Sequence, residues 1–348
     1  MVATVLAEAG LDPSYTCGTS EIMPIGAAGH YGLGRYFVAE ADEYLSEPKY
    51  DRKAKFLYQK PRSIILNNID FDHPDFYSDV EAVKKACSEF VSSLGHDGLL
   101  VANGDDEKVK EIIRENGIVR SLTYGTGPNN DFIVFDFHEK GLNSTFKIKR
   151  KDMLIGEFSL SVPGYHNAKN AAGVVALLLE LGISIPQIAK GLAAFKGVKR
   201  RIEVVGQTAN GQTIIDDYAH HPEEIRKTLA ALRLAFPDKK IVTVFQFHTY
   251  SRTKALFSDF VSAFSDADEI ILLPTFSSER NETDEQNSDQ NFVEKMRLIN
   301  KRIDIIDRKA GVVEYINKNF KDEDVVIVTM GAGDVYNVGE KLKVSAKG

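Results

Sequence analysis

The feature that most constrains this chain is a repeated alternation of short β-branched or aromatic runs with longer stretches of helical periodicity. Strand-like runs fall at Tyr36–Ala39, Ser63–Asn67, Gly98–Ala102, Thr213–Asp216, Lys240–Phe245, Glu269–Leu273 and Asp324–Thr329. Helical patterns occupy Asp79–Leu94, Ala168–Leu181, Pro222–Phe236 and Ser251–Ser265. Parallel strands need a crossover between them, usually a helix, so this alternation predicts an α/β fold built on mostly parallel sheets. Two further runs, Phe132–His138 and Ser144–Lys149, flank a Lys140-Gly141 turn signal, with a strand near Glu157–Val162 after them. They predict a hairpin and an accessory β-sheet.

A chain of 348 residues is too long for one ordinary core and suits two. The helical pattern ending near Phe195 gives way to Gly-Val-Lys-Arg-Arg and a new run of alternations, which places the boundary at Gly197 and predicts domains 1–197 and 198–348. No stretch reaches the about 18 consecutive apolar residues of a membrane span. Met1–Gly10 has neither the basic segment nor the cleavage site of a leader, so the chain is expected to be cytoplasmic with no membrane partner. The two cysteines, Cys17 and Cys87, are too few for a disulfide framework or a zinc site. A net charge of −7 argues against a nucleic-acid partner, because phosphate-backbone binding relies on a basic surface, but it leaves room for a small anion in a cleft. The polar stretch Ser277–Gln290 reads as a surface loop or a substrate lid.

Polar residues gather where the strand-like runs end, which is where parallel α/β sheets bind ligands. Glu40-Ala41-Asp42-Glu43 follows the first run and offers hard oxygen donors for a cation such as Mg²⁺, or else is a solvated loop. Asn67-Asn68-Ile69-Asp70-Phe71-Asp72-His73-Pro74 follows the second and is expected along the same edge, as a metal site or a turn before a helix. In Gly164-Tyr165-His166-Asn167-Ala168-Lys169-Asn170, Asn167 and Asn170 share one helical face, where their amides suit a base or phosphate and Asn167 equally suits a cap. Lys199-Arg200-Arg201 and the run from Asp216-Asp217 to His220-His221-Pro222 pair phosphate-seeking guanidiniums with acids that suit ribose hydroxyls or a salt bridge. Gln246-Phe247-His248-Thr249-Tyr250-Ser251-Arg252 suits an anionic substrate, and Met330-Gly331-Ala332-Gly333-Asp334 is a glycine turn open to close approach.

Taken together and in this order, these segments resemble the Mur ligase family along essentially the whole chain, and within it the alanine-adding branch. The resemblance implies a central ATPase-like domain and a Rossmann-like C-terminal domain, with ATP and Mg²⁺ as cofactors and UDP-N-acetylmuramate and L-alanine as substrates. It implies that Glu40 and His73 ligate Mg²⁺, that Asn167 and Asn170 contact the adenine side of ATP, and that Arg201 and Asp217 reach its phosphates and ribose. It places His248 and Arg252 near the amino-acid substrate, with His73, Arg201 and His248 at the reaction itself. The implied reaction is phosphorylation of a carboxylate followed by attack of an amine on the acyl phosphate.

Two departures qualify that expectation. No Gly-x-x-x-x-Gly-Lys-Ser/Thr pattern occurs in the chain and the family's N-terminal UDP-binding domain has no counterpart. The chain is thus expected to be inactive by itself, as a fragment or as half of a split enzyme whose N-terminal portion is a separate chain, with Met1–Gly10 as the middle of a helix. Phe247 also stands where the family commonly has proline. A ligase of whole peptides and a non-catalytic nucleotide-binding module remain as alternatives.

Overall fold

The structure is a computed structural model that describes residues 1–47, 49–71, 76–117, 120–248, 253–254, 256–276, 286–298 and 302–344, with backbone alone at 286–288. In chain order the first part runs α1 (Val2–Glu8), β1 (Ser14–Ile22), β2 (Gly26–His30), β3 (Phe37–Ala39), β4 (Leu45–Glu47), β5 (Asp51–Ala54), β6 (Ser63–Leu66), α2 (Val80–Ser92), β7 (Leu99–Asn103), α3 (Glu107–Asn116), β8 (Ser121–Gly125), β9 (Phe132–Lys140), β10 (Asn143–Arg150), β11 (Met153–Leu160), α4 (Tyr165–Glu180) and α5 (Ile185–Ala194). The second part runs β12 (Glu203–Gln207), β13 (Thr213–Asp217), α6 (Pro222–Ala235), β14 (Lys240–Gln246), α7 (Phe257–Ala263), β15 (Glu269–Leu273), α8 (Gln286–Leu298), β16 (Arg302–Ile305), α9 (Lys309–Asn319), β17 (Val325–Met330) and α10 (Tyr336–Leu342). They form two compact units, Met1–Lys196 and Gly197–Gly348.

In the first unit a six-stranded sheet has the order β11-β10-β9-β8-β7-β6. Strands β6 to β9 are parallel, and β9, β10 and β11 are antiparallel. The expected hairpin forms with Gly141 at φ +59°, a backbone setting glycine adopts without strain. It does not stand as a separate sheet, because β9 pairs with β8 and so extends the parallel sheet. Helices α2 and α3 are capped by Asp79 and Asp106, which accept from Ala82 N at 2.9 Å and Val109 N at 3.1 Å. Their apolar residues Val83, Phe90, Val109 and Ile112 join Ile64, Leu100 and Ala102 in one core. Helix α4 is rich in alanine because it lies close to the sheet: a Cβ added to Gly173 would stand 2.8 Å from the Tyr124 ring.

Two smaller sheets, β2-β1-β3 and β4-β5, complete this unit. Strand β1 escapes the pattern reading because Ser-Tyr-Thr-Cys-Gly-Thr-Ser-Glu-Ile lacks a continuous apolar run.

In the second unit the order is β12-β13-β17-β14-β15-β16, parallel apart from the antiparallel β12. Its inner strands β15 and β17 are buried along their whole length, which is why their sequences are mostly Val, Ile and Leu. The chain leaves β13, returns in β14 and comes back last to fill the gap between them with β17. The carboxyl ends of these three strands therefore bring Asp217, Gln246 and Met330 to one edge. Pro222 opens α6, and His221 and Glu224 form a reciprocal cap. Of the expected helix Ser251–Ser265, the structure describes α7; residues 249–252 and 255 lie outside the described residues. No helix among the described residues is long and apolar enough to cross a membrane.

The contact between α1 and α5 depends on one small residue. A Cβ on Gly191 would lie 2.5 Å from Val5 Cα, a backbone atom that cannot rotate away. Gly191→Ala should lower unfolding stability by about 1–3 kcal/mol through forced separation of the two helices. Urea denaturation measures this, and an unchanged midpoint would refute the close packing.

Candidate active site

Glu40 directly follows β3, and its backbone N–H is held by the Thr16 carbonyl at 3.0 Å. Its exposed carboxylate accepts from Gly18 N through Oε2 at 2.6 Å, which fixes its direction and leaves lone pairs on Oε1. The neighbouring Asp42 is used locally, accepting from Tyr44 N at 2.9 Å and pairing with Lys55 at 2.7 Å. The expectation of a single sheet edge for the two acidic segments needs correction: Glu40 leaves the β2-β1-β3 sheet, whereas Asn67 leaves β6 of the six-stranded sheet. The loops still meet, because the Tyr77 hydroxyl donates to the Glu43 carbonyl at 2.7 Å. Asn67 Oδ1 accepts from the Tyr124 hydroxyl at 2.6 Å and is thereby tied to the core.

His73, the other expected metal ligand, lies outside the described residues. Among the described residues no group of three or more His, Cys, Asp or Glu side chains could hold a metal. A protein-built cage is not what Mg²⁺ requires, however. That ion keeps several waters and takes one or two protein carboxylates together with substrate phosphates, a role the exposed hard oxygens of Glu40 fit.

Asn167 and Asn170 sit on the opening turns of α4, whose cap is Gly164 at φ +96° and not Asn167. Asn167 donates Nδ2–H to the Pro163 carbonyl at 2.7 Å, which turns its acceptor Oδ1 the other way. Both amides are half-buried. The Gly164 N–H is met by Glu139 from β9 at 2.9 Å, a residue that the sequence pattern did not single out.

In the second unit, neighbouring arginines do opposite jobs. Arg200 points inward: Nε donates to the buried Asp216 at 3.0 Å, Nη2 to the Gly331 carbonyl, and the guanidinium lies over the Tyr218 and Tyr336 rings at 4.9 and 5.0 Å. Arg201 points outward, 54% exposed, and is steadied by Glu224 at 3.5 Å. Burial pushes the Glu224 carboxyl up, but His220, Arg201 and two backbone N–H groups outweigh it and hold it below its usual range.

Asp217, expected to face ribose or phosphate, is 2% exposed and has both oxygens engaged. Oδ1 accepts from Ala219 N at 2.8 Å and Oδ2 from Ile202 N at 2.7 Å. The bond from Ile202 N holds that residue at φ +46°, while Glu203 accepts from Arg200 N at 2.9 Å and holds Arg200 at φ +62°, a left-handed backbone that is unfavourable for a β-branched residue such as Ile202. The structure thus uses Asp217 to shape the loop that displays Arg201.

At the end of β14, strand alternation sends Phe247 to one face and Gln246 and His248 to the other. Phe247 is buried edge-to-face against Phe245, Phe260 and Phe292, so the residue in the place of the family's proline belongs to the core. His248 stacks on Phe276 at 6.1 Å and meets His220 edge-on at 5.9 Å. Arg252 lies outside the described residues. The glycine turn is needed for close approach, since a Cβ on Gly331 would stand 2.6 Å from the Gln246 carbonyl oxygen. Asp334 in that turn is pinned by Lys309.

Burial pushes the Asp217 carboxyl up from 3.8 to about 6, against the pull of the Ala219 and Ile202 N–H groups and Arg201. The folded state then binds more protons than the unfolded state between these values. Its contribution is fully present below the lower value and is lost as pH rises through about 6, a loss of about 3 kcal/mol. Asp217→Asn should flatten that slope, and should destabilise the protein at neutral pH by about 1–3 kcal/mol because one backbone N–H then faces an amide donor. Denaturation curves across this pH range check it; an unaltered slope would contradict the assignment.

Residues 34–178 match the Mur ligase middle domain and residues 200–333 the Mur ligase glutamate ligase domain. The UDP-N-acetylmuramate–L-alanine ligase of Clostridium perfringens is 38% identical over 342 residues, spanning 98% of this chain and 71% of that protein. The ligase of the same name from Desulforapulum autotrophicum is 35% identical over 349 residues, spanning 98% of this chain and 72% of its own. The crystal structure of UDP-N-acetylmuramate-alanine ligase from Thermotoga maritima superposes with a TM-score of 0.77 at 23% identity, covering 98% of this chain and 70% of that one. The chain belongs to the Mur ligase family of ATP-dependent ligases that join an acid to an amino acid.

Proposed function

We propose that the chain supplies the nucleotide-handling and amino-acid-handling residues of an enzyme joining L-alanine to UDP-N-acetylmuramate in peptidoglycan precursor synthesis. The observation that carries this reading is the likeness, along nearly the whole chain, to alanine-adding ligases. The segment 1–197 is the ATP-binding domain and 198–348 the domain that takes the amino acid. ATP as co-substrate places the reaction in the cytoplasm.

In the first step a carboxylate oxygen of the muramoyl group attacks the γ-phosphorus, the bond to the β-phosphate oxygen breaks, and ADP leaves. In the second the alanine nitrogen attacks the acyl carbon, loses a proton, and expels inorganic phosphate. Mg²⁺, when bound by Glu40 and His73, supplies positive charge to the phosphoryl oxygens. Asn167 and Asn170 hold the adenine end of ATP. Arg201, exposed and steadied by Glu224, offers its fork to the phosphates, and Asp217 acts through the loop that presents it. His248 and Arg252 receive the amino acid.

The test is alanine-dependent phosphate release from ATP and UDP-N-acetylmuramate by the protein as its gene encodes it. Replacing alanine by a tripeptide should abolish the signal, and a preference for the peptide would overturn the acceptor assignment. Glu40→Gln keeps an acceptor for Gly18 N but removes the charge. It should lower kcat by about 100-fold or more with unfolding stability kept within about 1 kcal/mol. Full turnover would remove Glu40 from the metal site. Arg201→Ala should weaken ATP binding about tenfold, or about 1.4 kcal/mol, and unchanged affinity would return it to a structural role.

A further inference from the structure

The approach of β9 to the start of α4 leaves one polar atom unaccounted for. Beyond Asp136, at φ +52°, β9 alternates so that Phe137 and Glu139 turn to the half-buried face and His138 and Lys140 to solvent. Glu139 Oε2 accepts from the Gly164 N–H at 2.9 Å. Its other oxygen, Oε1, is buried and has no hydrogen-bond partner. Burial holds this carboxyl above its usual range, against the pull of the Gly164 N–H.

A buried carboxylate oxygen without a donor is costly, and native structures keep few of them without a purpose. Phe137, two residues before Glu139 on the same strand face, packs edge-on against Tyr165, the residue after Gly164, at 4.8 Å, and Tyr165 is 39% exposed. Asn167 begins two residues further along the same helix. An acceptor that needs a donor, a partly open ring and a nearby amide together suit the edge of a flat heterocycle carrying an amine.

We propose that Glu139 selects the nucleotide base, with Oε1 accepting a hydrogen bond from the exocyclic amine at the purine 6-position. The inference rests on the ligase reading for the presence of ATP and adds to it a residue that sets which nucleotide is used. Because Oε2 is committed to Gly164, the contact uses a single oxygen. A 6-oxo group in place of the amine sets acceptor against acceptor.

The test titrates ATP, ITP and the triphosphate of purine riboside, which carries only hydrogen at that position, into the wild-type protein and Glu139→Gln. Hydrogen bonds to a charged group correspond to a preference of about tenfold or more, so the wild type should favour ATP over both others by that margin. Glutamine can still accept from Gly164 through its oxygen while its amide places a donor where the orphan was. The variant should therefore lose the preference or invert it toward ITP, with an unchanged melting temperature. Glu139→Ala should bind all three alike. An unchanged ATP-to-ITP ratio in both variants would overturn the proposal while leaving the ligase reading intact, and a wild type that binds none of the three would overturn both. Should 2′-deoxy-ATP, and not ITP, be the ligand whose relative affinity moves, Glu139 contacts the ribose and base selection is refuted.

Discussion

The second unit depends on a pair of buried carboxylates that hold an unfavourable loop in place. Asp216 receives the Arg200 guanidinium and the Thr329 hydroxyl at 3.0 and 2.5 Å, while Asp217 receives two backbone N–H groups. Burying two acids side by side costs stability, and the raised carboxyls of both are the sign of that cost. In return Arg200 ties the loop before β12 to the glycine turn after β17, and Ile202 is kept in a backbone setting it would otherwise leave. One side chain, Arg201, is thereby held out from the strand ends with little freedom in its backbone. Pre-organisation of this kind lowers the ordering cost of gripping an anion.

The first unit solves a similar problem with less strain. Strand ends and helix starts do the positioning there: β3 sets Glu40, the Gly18 N–H aims it, and the Gly164 cap opens α4 so that Asn167 and Asn170 share a face. The close approach of α4 to the sheet at Gly173 makes that helix start a fixed platform. Both units therefore set these polar residues where strands end or helices begin, with the loops leaving Glu40 and Arg201 exposed.

Much of the scaffold was legible because its cause is local. The run Glu269–Leu273 is a strand over the same residues in the structure, and Pro222 marks the first residue of a helix. Periodicity records burial on one or both faces, and a parallel sheet buries both. What stayed hidden was decided by tertiary partners. Arg200 and Arg201 are identical side chains in adjacent positions, and the buried Asp216, the Gly331 carbonyl and two tyrosine rings turn the first of them inward. Asp217 reads as a free acid until its two N–H donors are seen. Strand β1 carries too many polar residues to announce itself, and Glu139 is one of two acids in β9, set apart from Asp136 only by a buried oxygen that lacks a hydrogen bond.

In the proposed assignment, Asp217 serves the nucleotide only by holding the loop that presents Arg201. A double-mutant cycle on ATP affinity tests this most directly, using Asp217→Asn and Arg201→Ala singly and together. The account predicts that Asp217→Asn weakens ATP binding in the wild-type background and has no further effect once Arg201 is alanine. Losses that add fully would contradict it, since Asp217 would then act on the nucleotide independently of that arginine.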